Sequence, residues 1–319
     1  MSKPLVLLFS AIFMMLLTTP ILAIAQPQII VDGDPSDWKA PLPSQDNTYI
    51  ISDGEFVWKD ATGDERTDFA GSVNPDLVDL VEWRITGDGD YLYMLFKFKN
   101  MSGISIGDNG ATFIAVTIDR DLTSGSGEIW FAGESDTKVN SSAAWEYQIV
   151  VNLADSRYRN QGLRSITHPL NESTNNWGAI FQLLDKNWNH LYVPGDTGAA
   201  GLLAVNLDNN CIELKINWSL IGGAPAGGSI RFEVITAVGW SNYGGNGGGT
   251  WDISGSSDAL DAVTTIGPNT WSEVEDGVVD YYVEVSFATP VPYPVPEPWI
   301  VGLVALVIAG LYLVFRRMT

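Results

Sequence analysis

The chain has 319 residues, of which 38 are acidic and 17 are basic, so its formal net charge at pH 7 is −21. A surface this negative repels nucleic acids and anionic lipid headgroups, which excludes nucleic acid as a partner and suits a solvated exterior or divalent cations. Cys211 is the single cysteine. No disulfide can therefore form within the chain, and stability must come from the core, a metal or assembly.

The first 25 residues are typical of a secretory signal peptide. Lys3 precedes an apolar run from Leu5 to Ile24, and the run ends in the small-x-small sequence Ala23-Ile24-Ala25. We expect the peptide at 1–25 to be removed after Ala25. An uncleaved N-terminal anchor is the alternative.

Residues 29–287 follow without a Pro- or Ser-rich linker and without a repeat, which predicts one domain with long loops. The clearest strand pattern in this part is the hairpin at 76–99, whose turn is Gly-Asp-Gly-Asp at 87–90. Its second strand alternates an apolar set with a polar set: Leu92, Met94, Phe96 and Phe98 against Tyr91, Tyr93, Lys97 and Lys99. This alternation predicts one face in the core and one face in water.

Further strand patterns recur along the chain, at 112–119, 145–153, 203–218, 232–238 and 279–287. Turn residues such as Asp208-Asn209-Asn210 separate them, and no stretch of the body has a helical period. Many short strands joined by Gly and Asn turns predict an all-β fold, an antiparallel β-sandwich.

The segment from Gly239 to Gly255 is rich in glycine and carries three aromatic residues, Trp240, Tyr243 and Trp251. Aromatic rings in such a loop can stack on the C–H faces of sugars, so these three residues are the predicted carbohydrate-binding set. The alternative is that the rings cover an edge of the sandwich.

Four Asn-x-Ser sequons are present, at Asn100, Asn140, Asn171 and Asn217. In an exported protein, such asparagines are candidate glycosylation sites on loops or strand ends. We predict glycosylation at the first three, because Asn217 lies within a strand pattern.

The C-terminus predicts a membrane anchor. A Pro-rich stem at 288–298 leads into an apolar stretch at 299–315 without charges, and Arg316-Arg317 follow. This stretch is at the short end for a transmembrane helix, and the arginines are expected to stay inside. We therefore expect a single-pass protein of the cell membrane, with an extracellular body and a cytoplasmic C-terminus.

The tetrapeptide Val295-Pro296-Glu297-Pro298, together with the apolar stretch and the two arginines, resembles the PEP-type C-terminal sorting signals that exosortases and archaeosortases recognise. The resemblance implies a sorting enzyme as a partner and removal of the helix. A permanent anchor is the alternative.

A second resemblance concerns the body. Asp60-Ala-Thr-Gly-Asp64, then Asp76-Leu-Val-Asp-Leu80, then the Gly-Asp-Gly hairpin resemble the C-terminal binding module of glucodextranase, which is related to family 9 carbohydrate-binding modules and to DOMON-like sandwiches. The segments at 31–38 and 117–121 are similar to the opening and to the third core strand of the same group. The resemblance implies a β-sandwich over 29–287 and a non-catalytic role in sugar binding.

Acidic residues near turns are candidate calcium ligands, since Ca²⁺ takes six to eight oxygens. Asp60 and Asp64, with Asp68 after them, form one such set, and Asp119 and Asp121 form another. Neither set reproduces an EF-hand loop, and solvated acidic turns are the alternative. A structural calcium is the only cofactor that we predict; haem would require axial ligands such as Met94, which more often serves in packing.

Catalysis has little support in the sequence. No Gly-x-Ser-x-Gly motif of a serine nucleophile stands between a strand pattern and a helix pattern. Glycosidases use a pair of carboxylates, but with 38 acidic residues close pairs are expected by chance. We therefore predict no enzymatic activity. The predicted function is a cell-surface, membrane-anchored carbohydrate-binding protein with a polysaccharide or surface glycan as its partner, and the alternative is a structural cell-envelope component such as an S-layer or surface-fibre subunit.

Overall fold

Strands dominate the computed structural model, which describes residues 28–67, 74–171, 178–225, 227–241, 248–250, 253, 257–264 and 271–287. The predicted signal peptide at 1–25, the stem at 288–298 and the membrane span at 299–315 lie outside these residues. Within the described ranges, no helix is long and apolar enough to cross a membrane. The helical segments found there are short turns, such as Trp218–Ile221 and Trp271–Val274.

The first sheet, sheet A, has seven antiparallel strands. In spatial order they are β1 (Thr48–Ser52), β2 (Glu55–Lys59), β3 (Leu80–Gly87), β4 (Tyr91–Phe98), β11 (Cys211–Asn217), β10 (Gly201–Asn206) and β8 (Ser165–Pro169). β1 and β8 are therefore its two edges.

The second sheet, sheet B, is organised around one long strand, β12 (Ser229–Ser241). On one side of β12 lie β5 (Thr112–Asp119), β7 (Tyr147–Asn152) and β9 (Phe181–Asp185). On its other side, three short strands pair with successive parts of it: β16 (Val283–Ser286), β14 (Ala259–Ala262) and β13 (Gly248–Thr250). All of these pairs are antiparallel, so the predicted all-β antiparallel fold is confirmed.

The main core lies between the two sheets. Alternate residues of facing strands point into it, as in Leu92, Met94 and Phe96 of β4 and Ile114, Val116 and Ile118 of β5. The rings of Trp83 in β3 and Phe232 in β12 meet edge to face, with their centroids 6.0 Å apart. The two sheets thus pack face to face as a sandwich, and the predicted apolar face of the β3–β4 hairpin is confirmed.

The other face of that hairpin is only partly in water: Lys99 is exposed as predicted, whereas Tyr93 is buried, contrary to the prediction. Tyr93 is buried in a second apolar cluster with Ile29, Val31 and Trp38, because the N-terminal segment lies across the outer face of sheet A. Charged residues of the same face are buried as well. Arg84 pairs with Glu55 at 2.8 Å and also with Glu82.

Glu213 of β11 fixes this N-terminal segment. Its carboxylate accepts hydrogen bonds from the backbone N–H of Asp32 (3.3 Å) and of Gly33 (2.8 Å) and from the indole N–H of Trp38 (2.9 Å). Gly33 has a φ of +85°, and a Cβ there would lie 2.9 Å from the Cβ of Asn206. Only glycine fits this turn without displacing its neighbours.

The outer face of sheet B is also covered. Loop residues around Trp145 and the turn at Val274 pack on Phe113 and Ala115 of β5. Within this cover, the short strands β6 (Lys138–Val139) and β15 (Val278–Val279) form a parallel pair. The strand predicted at 279–287 is thus wrong as one element: it is divided between β15 and β16, which pair with different partners.

Candidate functional site

Five acidic side chains meet where β2 ends and β3 begins. Asp60 follows β2, Asp64 and Glu65 lie in the next loop, Asp79 precedes β3, and Asp261 comes from β14 of the other sheet. Asp60, Asp79 and Asp261 are almost completely buried. We call this group the acidic cluster.

The two carboxylate oxygens of Asp79 have different surroundings. Its Oδ2 accepts the backbone N–H of Gly63 (2.9 Å) and lies 3.1 Å from the ammonium of Lys99, which also pairs with Asp76 at 2.9 Å. Its Oδ1 is buried and has no hydrogen-bond partner among the described residues. Lys99 therefore compensates part of the charge of Asp79, and the carboxylate of Glu65 also lies next to Asp79.

Asp64 and Asp261 also lie next to Asp79, and one oxygen of each of these three residues lies within 4.8 Å of the others. The oxygens of Asp261 accept the N–H groups of Leu80 and Ala262, each at 2.8 Å, so its carboxylate is held in place. Asp60 Oδ2 has no hydrogen-bond partner in the described part of the chain.

The electrostatics of the acidic cluster are unfavourable without a cation. Burial, followed by repulsion from Asp261 and Asp64, raises the pKa of Asp60 well above its usual range. Burial, followed by repulsion from Asp64 and Asp79, raises the pKa of Asp261 well above its usual range. Burial and the charge of Asp79 raise the pKa of Glu65 to about 7. A divalent cation would reverse these shifts, because it stabilises the ionised form of each group.

The donor set fits calcium. Ca²⁺ prefers six to eight oxygen ligands. Asp64, Asp79 and Asp261 each offer one carboxylate oxygen within 4.8 Å of the others. Asp60 lies close enough to repel Asp261 and Asp64, and one buried oxygen of Asp60 and one of Asp79 have no hydrogen-bond partner among the described residues. A bound ion would join the two sheets at this end of the sandwich, since Asp261 belongs to sheet B and the other three lie next to sheet A.

The predicted pair Asp119 and Asp121 lies elsewhere, at the end of β5, where it is joined by Glu146. Protein groups already compensate this set: Arg231 lies 3.5 Å from Asp119, and Ser126 donates to Asp121 at 2.7 Å. Asp121 is exposed, and the Ser126 hydroxyl lowers its pKa although partial desolvation opposes this. Asp119 Oδ2 is nevertheless buried without a hydrogen-bond partner among the described residues, as are oxygens of Asp60 and Asp79.

Glu233 of β12 is a buried acid outside both sets. It is 1% exposed, and neither of its carboxylate oxygens has a hydrogen-bond partner among the described residues. Burial and, after it, repulsion from Glu273, Asp280 and Asp119 raise its pKa well above the usual range. Burial therefore favours the neutral form of this side chain.

The predicted sugar-binding aromatics are described only in part. Trp240 lies near the end of β12 and is 41% exposed, while residues 232–239 before it are buried. Tyr243 and Trp251 lie outside the described residues. Part of the predicted Gly-rich loop is regular structure, because β12 extends to Ser241 and pairs with β13. Trp130, in a different loop, is 44% exposed.

The candidate glycosylation sites Asn100 and Asn140 cap tight turns. The side-chain oxygen of each accepts the N–H of the serine two residues later, at 2.9 Å for Ser102 and 3.0 Å for Ser142. Both asparagines are partly exposed, as is Asn171, at the end of a described range. The amide nitrogen of Asn140 also donates to Asp280 at 3.1 Å.

No protein-family model matches the chain, and no curated protein is significantly similar to it. The likeness to the glucodextranase module therefore stays a prediction that rests on the short motifs of the sequence.

The sequence reasoning missed Asp79, Glu65 and Asp261. A signal was present for two of them: Asp79 and Asp261 stand in otherwise apolar runs, Asp-Leu-Val-Asp-Leu and Asp-Ala-Leu-Asp-Ala-Val. An acid in such a run is buried, and a buried acid needs a partner.

Proposed function

We propose that the protein is an exported, membrane-anchored and non-catalytic β-sandwich that binds carbohydrate near the end of β12 and is stabilised by Ca²⁺ in the acidic cluster. The body is extracellular in this proposal, and a polysaccharide or cell-surface glycan is the partner. The export and anchoring parts rest on the sequences at 1–25 and 299–317.

One observation carries the sugar-binding part. Trp240 exposes its ring at the end of a strand whose preceding residues are buried, next to a glycine-rich segment. An exposed indole on a rigid strand offers a flat apolar face, and its position is fixed before the ligand arrives. Such a ring suits stacking on a neutral sugar, and the negative surface of the protein disfavours polyanionic glycans.

The calcium part has separate support in the acidic cluster, whose Asp60 and Asp79 each keep a buried oxygen without a hydrogen-bond partner. When bound, the ion supplies positive charge that offsets the mutual repulsion of the carboxylates. Its role is structural, because Asp60, Asp79 and Asp261 are buried and leave no room for a substrate beside them.

Affinity retention on columns of insoluble α-glucan and β-glucan tests the sugar-binding part. We expect the wild-type protein to be retarded on one of them and Trp240→Ala to elute earlier with an unchanged melting temperature. A wild-type protein that elutes with the void marker from both columns and from other neutral polysaccharides would contradict the proposal.

Protease added to intact cells tests the topology. The expected result is loss of the body, with at most the C-terminal tail retained. Full protection of the body would show that the orientation is wrong.

The second candidate function is a structural component of the cell envelope, and sheet A has two edges, β1 and β8, that pair on one side only among the described residues, as repeated assembly would require. Electron microscopy of the purified protein tests it. Ordered layers or fibres would support this function, and particles that stay dispersed at high concentration would refute it.

A further inference from the structure

β1 is an unprotected edge of sheet A. Its sequence, Thr-Tyr-Ile-Ile-Ser, carries no charge, and Tyr49 and Ile51 are 49% and 62% exposed. Natural proteins usually protect such edges with charged residues, proline or a covering segment. Tyr49 and Ile51 pair with Trp58 and Phe56 of β2, so they lie on the face of sheet A that elsewhere forms the core.

The turn between β1 and β2 determines which backbone groups are free. The turn has two residues, Asp53 and Gly54, so Ser52 and Glu55 form a hydrogen-bonded pair. Because such pairs alternate along an antiparallel ladder, Thr48, Ile50 and Ser52 direct their N–H and C=O groups to β2. Tyr49 and Ile51 direct theirs away from the sheet, where no other described residue bonds them.

We propose that two copies of the protein pair through β1, antiparallel to each other, around a two-fold axis at Ile50. In this register Tyr49 of one copy is opposite Ile51 of the other, and these two positions carry the free N–H and C=O groups. Four new hydrogen bonds close the ladder, and sheet A continues from one copy into the next. The inference depends on neither sugar binding nor calcium.

The side chains fit this register. Residues that face each other across strands project on the same side, so each Tyr49 packs on Ile51 of the second copy, a favourable aromatic and β-branched pair. The Tyr49 ring is already stacked on Phe56 with centroids 5.0 Å apart, which holds it in position. Pairing covers the most exposed apolar side chains of this edge on both copies.

Charges also permit the contact. The five paired residues are uncharged, and the nearest acids, Asp53 and Asp46, lie beyond the two ends of the strand. Asp53 approaches Asn47 of the second copy, and Asp46 is held by Lys59 at 2.6 Å. No like charges are directly opposite each other. A two-fold contact uses the same surface on both copies, so it yields a closed dimer and not an open polymer.

Cysteine cross-linking of the full-length protein tests the register directly. Ile50 meets Ile50 of the second copy as a non-hydrogen-bonded pair, for which Cα atoms are about 4.5 Å apart, within the range that a disulfide spans. Under mild oxidation, Ile50→Cys is expected to give most of the protein as a covalent dimer on a non-reducing gel. The native Cys211 is buried and does not compete.

Thr48→Cys is the matched control, because Thr48 faces Ser52 of the second copy and not its own equivalent. It should give at least ten-fold less dimer than Ile50→Cys. Adding Ile51→Lys to Ile50→Cys places a charge on the contact and should remove the dimer. The melting temperature of each variant verifies that it is folded.

Equal cross-linking of Ile50→Cys and Thr48→Cys, or none in a folded Ile50→Cys protein, would overturn the proposal. Undiminished cross-linking after Ile51→Lys would overturn it as well. A matching variant at the opposite edge, Thr167→Cys in β8, should remain a monomer; a dimer there would assign the contact to the wrong edge.

Discussion

Replacing Asp60 by asparagine should change stability in opposite directions with and without calcium. Asp60 Oδ1 accepts the N–H of Ala61 at 3.0 Å, and its Oδ2 is the oxygen without a hydrogen-bond partner. Asparagine keeps the first interaction and has almost the same volume. Asp60→Asn therefore removes one buried negative charge and one anionic calcium ligand, and little else.

The size of the effect follows from the spacing of the carboxylates. Asp60 is repelled mainly by Asp261 and Asp64, and two unit charges about 5–6 Å apart repel each other by about 3 kcal/mol at an effective dielectric constant of about 20. Partial protonation relieves part of this repulsion, since the pKa values are raised. In a chelator, we expect Asp60→Asn to raise the free energy of unfolding by about 1–3 kcal/mol, or the melting temperature by about 2–12 °C.

In calcium, the wild-type protein should instead be more stable than Asp60→Asn. At a free concentration of about 100 Kd, a bound ion adds about 2.7 kcal/mol to the stability of the wild-type protein, which corresponds to about 5–11 °C for a domain of this size. The variant lacks one anionic ligand and should gain much less.

Thermal unfolding followed by circular dichroism, in EDTA and in millimolar calcium, measures both effects. Asp208→Asn is the control, because Asp208 is exposed and forms a surface ion pair with Arg164 at 2.8 Å; it should change stability by no more than about 0.5 kcal/mol in either buffer. If calcium leaves the wild-type melting temperature unchanged, or if Asp60→Asn lowers it equally in both buffers, the acidic cluster is not a calcium site.

Three further predictions concern single side chains. Trp240→Ala should weaken glycan retention about five-fold or more, since stacking contributes about 1 kcal/mol or more per ring, whereas Trp130→Ala, equally exposed in another loop, should bind like the wild type on the same column. Because burial raises the pKa of Glu233, its contribution to stability is present below the pKa of the unfolded chain, about 4.3, and is lost as the pH rises through the folded value. Glu233→Gln should therefore flatten the decline in melting temperature between pH 5 and pH 8, and an unchanged slope would refute this account. Glu213→Ala should lower the free energy of unfolding in urea by about 2–4 kcal/mol, because three N–H donors of the N-terminal segment lose their acceptor; a loss below about 1 kcal/mol would show that the segment is held by its apolar contacts alone.

Period-two alternation predicted the core face of the sheets well. Leu92, Met94 and Phe96 face the second sheet as expected. When one face of a strand must be buried, the alternation of apolar residues determines which side chains point into the core. The opposite face could not be predicted from the strand itself. Tyr93 is buried by the N-terminal segment at 29–38, which is distant in sequence, and only the tertiary fold brings it there.

The same limit applies to the acidic cluster. Asp60 and Asp64 were predicted as ligands because they stand in a polar turn, where acids often bind calcium. Asp79 and Asp261 are separated by 182 positions in the chain and meet only where the two sheets pack on each other. Their position in apolar runs signals burial, but sequence spacing alone does not tell which buried acids share one site.

The arrangement of sheet B around β12 has a consequence for folding kinetics. β12 pairs with β5, whose residues come more than 100 positions earlier, and with β16, which ends at Ser286. Contacts this distant in sequence slow folding, and β-proteins dominated by them fold in milliseconds to seconds. The partner of Ser229–Phe232 on the other side of β12 is absent until residues 283–286 have been synthesised. Sheet B therefore cannot be completed during synthesis until these residues have left the ribosome.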